Sequence, residues 1–410
     1  MIKVVSVEHS ESPNKSGTVR ATCHFVLGNG EPRSLWIDYP AECSQFIDQS
    51  GNPWAILLLP VAVELQESLI TIDLAVDIEL LENLYAVHNV WSSWFDWVKP
   101  VEIKALTTGP DETFCNRSEN YNTGLFFSGG VDSCFSFIRH SFPRGGKPTP
   151  LSLITIHGFD IPLSNADEFE KVVQLAHNVA SMAAANVIPM VTNLRSIEGY
   201  QAENWGPLGH GAALAAMGHL LSGKFGKLII GSSYTYKDLH PWGSHPLTDP
   251  LFSSTNLGVI HEGAAYTRVD KTKSVVENKE VANKLRVCHK DQGSTNCSNC
   301  PKCLRTMLTI DLLGGTDSVK SFDWENYHLD KVKYLYLDRE TDNYFFLEIS
   351  DAARGIGRED IVNVVEFCIK KSKKLRRIQK LHNWLSEAPL LWRLARPIRK
   401  IFPAIKRNSQ

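Results

Sequence analysis

The stretch Leu125-Phe126-Phe127-Ser128-Gly129-Gly130-Val131-Asp132-Ser133-Cys134-Phe135-Ser136-Phe137-Ile138 decides how this chain is read. Its first three residues form a short apolar strand, and its last five begin a helix pattern. Between them, two glycines allow a tight turn and close approach of backbone to a ligand. The free N–H groups of such a turn, together with those of the helix start, make an anion site. The hydroxyls of Ser128 and Ser133 can donate to phosphate oxygens. Asp132 suits such a place either with a divalent cation between it and the phosphate or as a helix cap. No Gly-Lys-Ser/Thr follows, so this is not the loop that cleaves a γ-phosphate.

Working outward, residues 151–157, 187–192 and 227–231 read as further strands. Residues 166–185 read as a helix with Phe169, Val172, Val173, Ala176, Val179 and Met182 on one side, and 211–221 as a helix of small residues. Strands alternating with helices predict an α/β fold, a Rossmann-like parallel sheet with helices on both faces. Ligands then bind beyond the carboxyl ends of the strands. Ahead of this region, residues 19–27 and 33–38 flank Gly28-Asn29-Gly30, a hairpin pattern that predicts a β-rich N-terminal domain. Residues 80–97 carry Leu81, Leu84, Tyr85, Val87, His88, Trp91 and Trp94 at helical spacing, an aromatic stripe read as core. The most apolar run, 54–63, is too short to span a bilayer and reads as a buried strand or a helix start. Near the other end, 343–349 reads as a strand or helix start and 360–380 as a helix. The expected domains are 1–118, 119–315 and 316–410.

Nine cysteines are an odd number for a framework of disulfides, and four of them, Cys288, Cys297, Cys300 and Cys303, follow the spacing C-x8-C-x2-C-x2-C. Four thiolates so spaced suit a tetrahedral structural Zn2+ in a reducing compartment, although iron–sulfur clusters use the same ligands. With no basic and apolar leader at the start, the expected location is the cytoplasm. Charge is uneven: the net is −2, but from Lys370 to Gln410 thirteen Lys or Arg face one acid, Glu387, leaving −14 on the rest. A basic tail on an acidic body suggests docking within the molecule or an anionic partner, whether RNA, a membrane surface or a protein. Trp384 and Trp392 suit base stacking or a membrane surface equally.

Ser128–Ser133 after a strand resembles the PP-loop of the ATP pyrophosphatases, which hold pyrophosphate and release AMP-activated products. That resemblance implies ATP and Mg2+ at Ser128, Gly129, Gly130, Val131, Asp132 and Ser133, and adenine against Ile156, His157 and Gly158 at the next strand end. A structural role for His157 fits its position as well. With the downstream cysteines, residues 124–307 resemble the 7-cyano-7-deazaguanine synthases, which adenylate a carboxylate, form an amide with ammonia and dehydrate it to a nitrile. The segment ahead of the loop, the basic tail, and Ser298 where glycine is usual mark a divergent branch, of the kind found beside polysaccharide or antiviral defence genes. The acid substrate, a small carboxylate or a group on a macromolecule, is therefore open, as is the ammonia or amine donor.

Residues 232–246 form a long polar loop after a strand, where a substrate pocket belongs. It offers Lys237, Asp238, His240 and His245, the first two joining Ser128, Asp132 and Ser133 as catalytic candidates. Gly209-His210-Gly211 reads either as a second anion contact or as helix packing. Arg268, Lys271, Lys302 and Arg305 could neutralise phosphates, with structural roles competing at the last two. Two other classes share the loop: sulfur transfer to an adenylated tRNA base, and a non-catalytic ATP-binding regulator.

Overall fold

The computed structural model describes residues 1–109, 122–143, 145–288 and 296–386. The boundary expected at 118/119, and the basic tail beyond Ser386 with Trp392, lie outside those residues. The chain divides into two compact units, Met1–Ala265 and Tyr266–Gln410.

The first unit opens with β1 (Ile2–Glu11), β2 (Thr18–Val26) and β3 (Pro32–Pro40), an antiparallel meander. The turn after β2 is closed by Leu27 N–H donating to Glu31 O at 2.9 Å, in the hairpin the glycine-rich spacing predicts. Next come α1 (Asn52–Glu64), β4 (Leu69–Asp77), α2 (Ile78–Trp94) and β5 (Glu102–Thr108). The apolar run at 54–63 is thus a helix. Every residue of α1 from Asn52 to Val63 is buried, as expected of a helix that is hydrophobic all round. Asp77 starts α2 by accepting Leu80 N–H on its side chain at 3.0 Å, a cap contributing about 1 kcal/mol.

The chain then alternates: β6 (Asn122–Phe126), α3 (Val131–Ser141), β7 (Leu151–His157), α4 (Ala166–Ala180), β8 (Asn186–Thr192), α5 (His210–Leu220), β9 (Phe225–Gly231) and β10 (Gly258–Glu262). These five strands run parallel in the order β10-β9-β6-β7-β8. Renumbered from the first, that is the 3-2-1-4-5 order of doubly wound sheets. Successive crossovers move from β6 to β7 and β8, and then the chain returns to β9 on the other side of β6. The reversal falls at the carboxyl end of β6, the place where sheets of this order bind their ligands.

The N-terminal strands are not a separate sheet. β3 pairs antiparallel with β8 through Ile37↔Thr192 and Asp38↔Val191, giving one ten-stranded sheet, β10-β9-β6-β7-β8-β3-β2-β1-β4-β5. Side chains extend this short join. Asn193 Oδ1 accepts Trp36 N–H at 2.9 Å, its Nδ2 donates to Ser34 O at 2.9 Å, and Thr192 Oγ1 donates to Trp36 O at 2.7 Å. One hydrophobic core runs across the join, from Ile2 and Phe25 through Trp54 and Trp91 to Met217 and Val259. A smaller cluster of Ile161, Phe169, Val172 and Val173 lies under α4.

The second unit is helical: α6 (Arg268–Glu277), α7 (Pro301–Leu312), α8 (Asp342–Gly355) and α9 (Glu359–Ser386) are its longest elements. Residues 343–349 are therefore helical rather than extended. Leu308, Phe346, Ile349, Ile361 and Val365 centre its core. Thr267 and Asp270 close a reciprocal capping box at the start of α6. Among the described residues, no helix is long and apolar enough to cross a membrane.

Candidate functional site

The loop Phe127–Gly130 leaves the carboxyl end of β6 and enters α3 at the reversal point of the sheet. Gly129 has φ 78°, a conformation that favours glycine. Ser133, in the first turn of α3, ties the loop together: its Oγ donates to Gly130 O at 3.1 Å and lies 3.4 Å from Ser128 N. Ser128 is exposed, Val131 and Ser133 are buried, and Asp132 is half-buried in the same helical turn. The turn therefore presents backbone N–H groups and a serine hydroxyl from a rigid base, with a carboxylate beside them. This arrangement can hold an anion together with a cation.

Two further strand ends border the loop or its neighbours. Gly231, the last residue of β9, approaches Asp132 so closely that a Cβ there would sit 3.3 Å from Asp132 Cβ. The 232–246 segment thus departs from beside the loop. Gly158 closes β7 at φ 96°, against Thr192 O. Ile156 is half-buried in β7. His157 is held structurally: its Nε2–H donates to Pro162 O at 2.8 Å, and its ring stacks on Phe169 at 4.7 Å. Burial pushes its pKa below the ordinary imidazole value.

Gly209, His210 and Gly211 lie where a short π-helical turn, Trp205–Gly209, passes into α5. Gly211 N–H donates to Gly243 O at 3.1 Å and Gly243 N–H to Gly206 O at 2.7 Å, so this turn and the 232–246 segment are joined. His210 Nδ1–H donates to Trp205 O at 2.9 Å, and burial lowers its pKa. Around it gather Trp205 and Trp242, with ring centroids 6.0 and 5.4 Å from His210, and Tyr234, 5.8 Å from Trp242. Arg195 lies over Trp205 at 4.3 Å. Lys237 is exposed in the short turn Tyr236–Asp238, whereas Asp238 accepts the Thr235 hydroxyl at 2.8 Å.

The end of the segment joins a polar cluster with Asp249 and His261. Asp249, fully buried, accepts from Ser244 Oγ at 2.6 Å, from His261 Nδ1–H at 2.7 Å and from His245 N–H at 3.1 Å. His240, His245 and His261 line a small cavity with Tyr234, Trp242 and Ser244. Sequence reading singled out neither Asp249, Ser244, His261 nor Trp205. The one local signal was Thr248-Asp249-Pro250, a turn pattern.

In the second unit the four cysteine sulfurs lie within 4.8 Å of one another. Cys288 and Cys300 are 4.0 Å apart, Cys297 and Cys303 3.9 Å. A tetrahedron with zinc–sulfur bonds of about 2.3 Å needs sulfurs about 3.8 Å apart, close to these two pairs, so small shifts would close the set on a metal ion. Backbone donors support it: Cys300 N–H points to Cys297 Sγ at 3.2 Å and Cys303 N–H to Cys300 Sγ at 3.4 Å. Asn296 fixes the approach, its Oδ1 accepting from Val287 and Cys288 N–H. Ser298 has φ 54°, which is where a glycine would be at ease. Arg268 and Arg305 both lie over the Phe345 ring, at 4.9 and 4.1 Å, and Lys271 is buried.

Comparison of the chain with known protein families, with curated proteins and with solved structures returns no match.

Proposed function

We propose that the chain binds ATP through the 128–133 loop and adenylates a carboxylate, releasing pyrophosphate, before ammonia or an amine displaces AMP. The observation that carries this reading is the position of the loop: a glycine turn with two serines and an aspartate, at the carboxyl end of the strand where the sheet order reverses. The resemblance to the PP-loop enzymes supplies the reaction class. In this reading the turn N–H groups and the exposed Ser128 hydroxyl bind the leaving pyrophosphate, whose charge grows as the α-phosphorus is attacked, while Ser133, its hydroxyl donating to Gly130 O, holds the turn in shape. Asp132 would hold Mg2+, which supplies charge neutralisation at the phosphates. Trp205, Trp242 and Tyr234 would offer the acid an aromatic wall. Cys288, Cys297, Cys300 and Cys303 would hold a zinc ion through four thiolates, and its role there would be structural.

Sulfur transfer would need a thiolate at the loop. Cys134 follows the loop directly but is fully buried, its thiol directed at Gly129 O at 3.5 Å and its pKa pushed far up by burial.

The test is incubation of the protein with ATP, Mg2+, ammonium and a panel of carboxylates that includes 7-carboxy-7-deazaguanine, with nucleotides separated by chromatography. Acid-dependent AMP, reduced at least a hundredfold (~3 kcal/mol of transition-state stabilisation) in Ser128→Ala and Asp132→Ala, is the expected result. ADP as the sole product would overturn it.

A further inference from the structure

Helix α9 is held on one side and bare on the other. Ile361, Val365 and Cys368 enter the core of the second unit, Ser372 Oγ accepts Leu337 N–H at 3.0 Å, and Arg376 donates to Leu337 O. On the opposite side Phe367, Lys370, Lys373, Lys374, Arg377, Lys380, Leu381 and Trp384 are exposed, at spacings of three and four residues that keep them in one stripe. The stripe is about 25 Å long at 1.5 Å per residue. From Phe367 to Ser386 the sequence contains no acid. Tyr334, itself exposed, packs edge-on against Phe367 at 5.9 Å and extends the aromatic end.

We infer that this face of α9 docks in the plane of an anionic lipid bilayer. Five cations without an intervening acid suit a negatively charged partner. The apolar members choose which one. Phe367 is 43% exposed, Leu381 45% and Trp384 57%, and leucine has no face on which a nucleic-acid base could stack. An interfacial helix needs this mixture, with lysines reaching the headgroups and aromatic and aliphatic side chains entering the acyl boundary. The sequence that follows keeps the same composition, with Leu390, Leu391, Trp392, Ile398, Ile401 and Phe402 among Arg393, Arg396, Arg399 and Lys400. A helix lying on the surface is consistent with the lack of a spanning one among the described residues. Docking is independent of the adenylation reading.

The full chain is mixed with vesicles of phosphatidylcholine alone or with added phosphatidylglycerol, and sedimented. Binding to the anionic vesicles alone is expected, and added salt should weaken it. Lys370→Gln, Lys374→Gln and Arg377→Gln together should lower affinity about a hundredfold, since each cation near the surface contributes about a factor of five. Trp384→Ala should weaken binding without changing the salt dependence. All four positions are exposed, and an unchanged far-ultraviolet spectrum and melting temperature verify folding. Equal binding to neutral vesicles, no binding to either, or unaltered binding by the triple variant overturns the inference. So does retention of a polynucleotide in place of vesicles.

Discussion

At the scale of single residues, burial of neutral imidazoles ties stability to pH. His219 is fully buried, with Nε2–H donating to Phe252 O at 2.7 Å and Nδ1 without a partner. Desolvation holds its pKa below the usual 6.5, against the attraction of Asp48 and Asp77, and His157, His210 and His245 move the same way. The unfolded chain takes up these protons first. Stability from the neutral rings is therefore complete above about pH 6.5 and falls as pH drops through the lowered folded-state values. Urea midpoints should fall between about pH 8 and about pH 5.5, with a shallower fall in His219→Gln. Ser298 offers a second test. Its hydroxyl accepts Asp323 N–H at 2.9 Å, while its left-handed backbone costs about 1–2 kcal/mol. Ser298→Ala keeps the strain and loses the bond, so it should melt lower, and give up a metal held by the four cysteines to a chelator sooner, than Ser298→Gly. The glycine turn and the cysteine set were legible in the sequence because each is built from neighbours along the chain. Asp249, Ser244 and His261 were not, because their meeting depends on β10 being packed against the stretch 244–249.

Among elements, the join between β3 and β8 is the weak and telling one. Two backbone pairs would hold little, and Asn193 supplies two more hydrogen bonds from its amide. Asn193→Leu keeps the size but strips both, leaving Trp36 N–H and Ser34 O to find water. A loss of about 1–3 kcal/mol is expected in chemical denaturation. The strands around the turn could be read from apolar runs bounded by turn residues, and α4 from its one-sided stripe. Helix α1 could not be distinguished from a strand, because a segment buried all round has no periodicity to report. Strand β10 escaped notice for the opposite reason. It has five residues, one of them the exposed Ile260, and sits at the sheet edge where little apolar surface is needed.

For the molecule as a whole, the shared sheet and core make Met1–Ala265 one cooperative body. A chain begun at residue 119 would bare the edge of β8 and the face of α5 that packs on α1. Expressed alone it should aggregate, whereas the full chain should show coincident loss of fluorescence and helical signal in this body. Recovery of a soluble, folded 119–410 fragment would contradict that view. Strand β10 carries a consequence of its own. Edge strands ordinarily fray, yet two successive residues of this one are fastened on opposite faces: His261 to the buried Asp249, and Glu262 to His140 on α3 at 2.8 Å. The strand is thus riveted through both layers, like a pin through a hinge. Its amide hydrogens should exchange with solvent far more slowly than an outermost strand allows, and any shift of the loop helix should be transmitted to the histidine-lined cavity as a tug on a single cord.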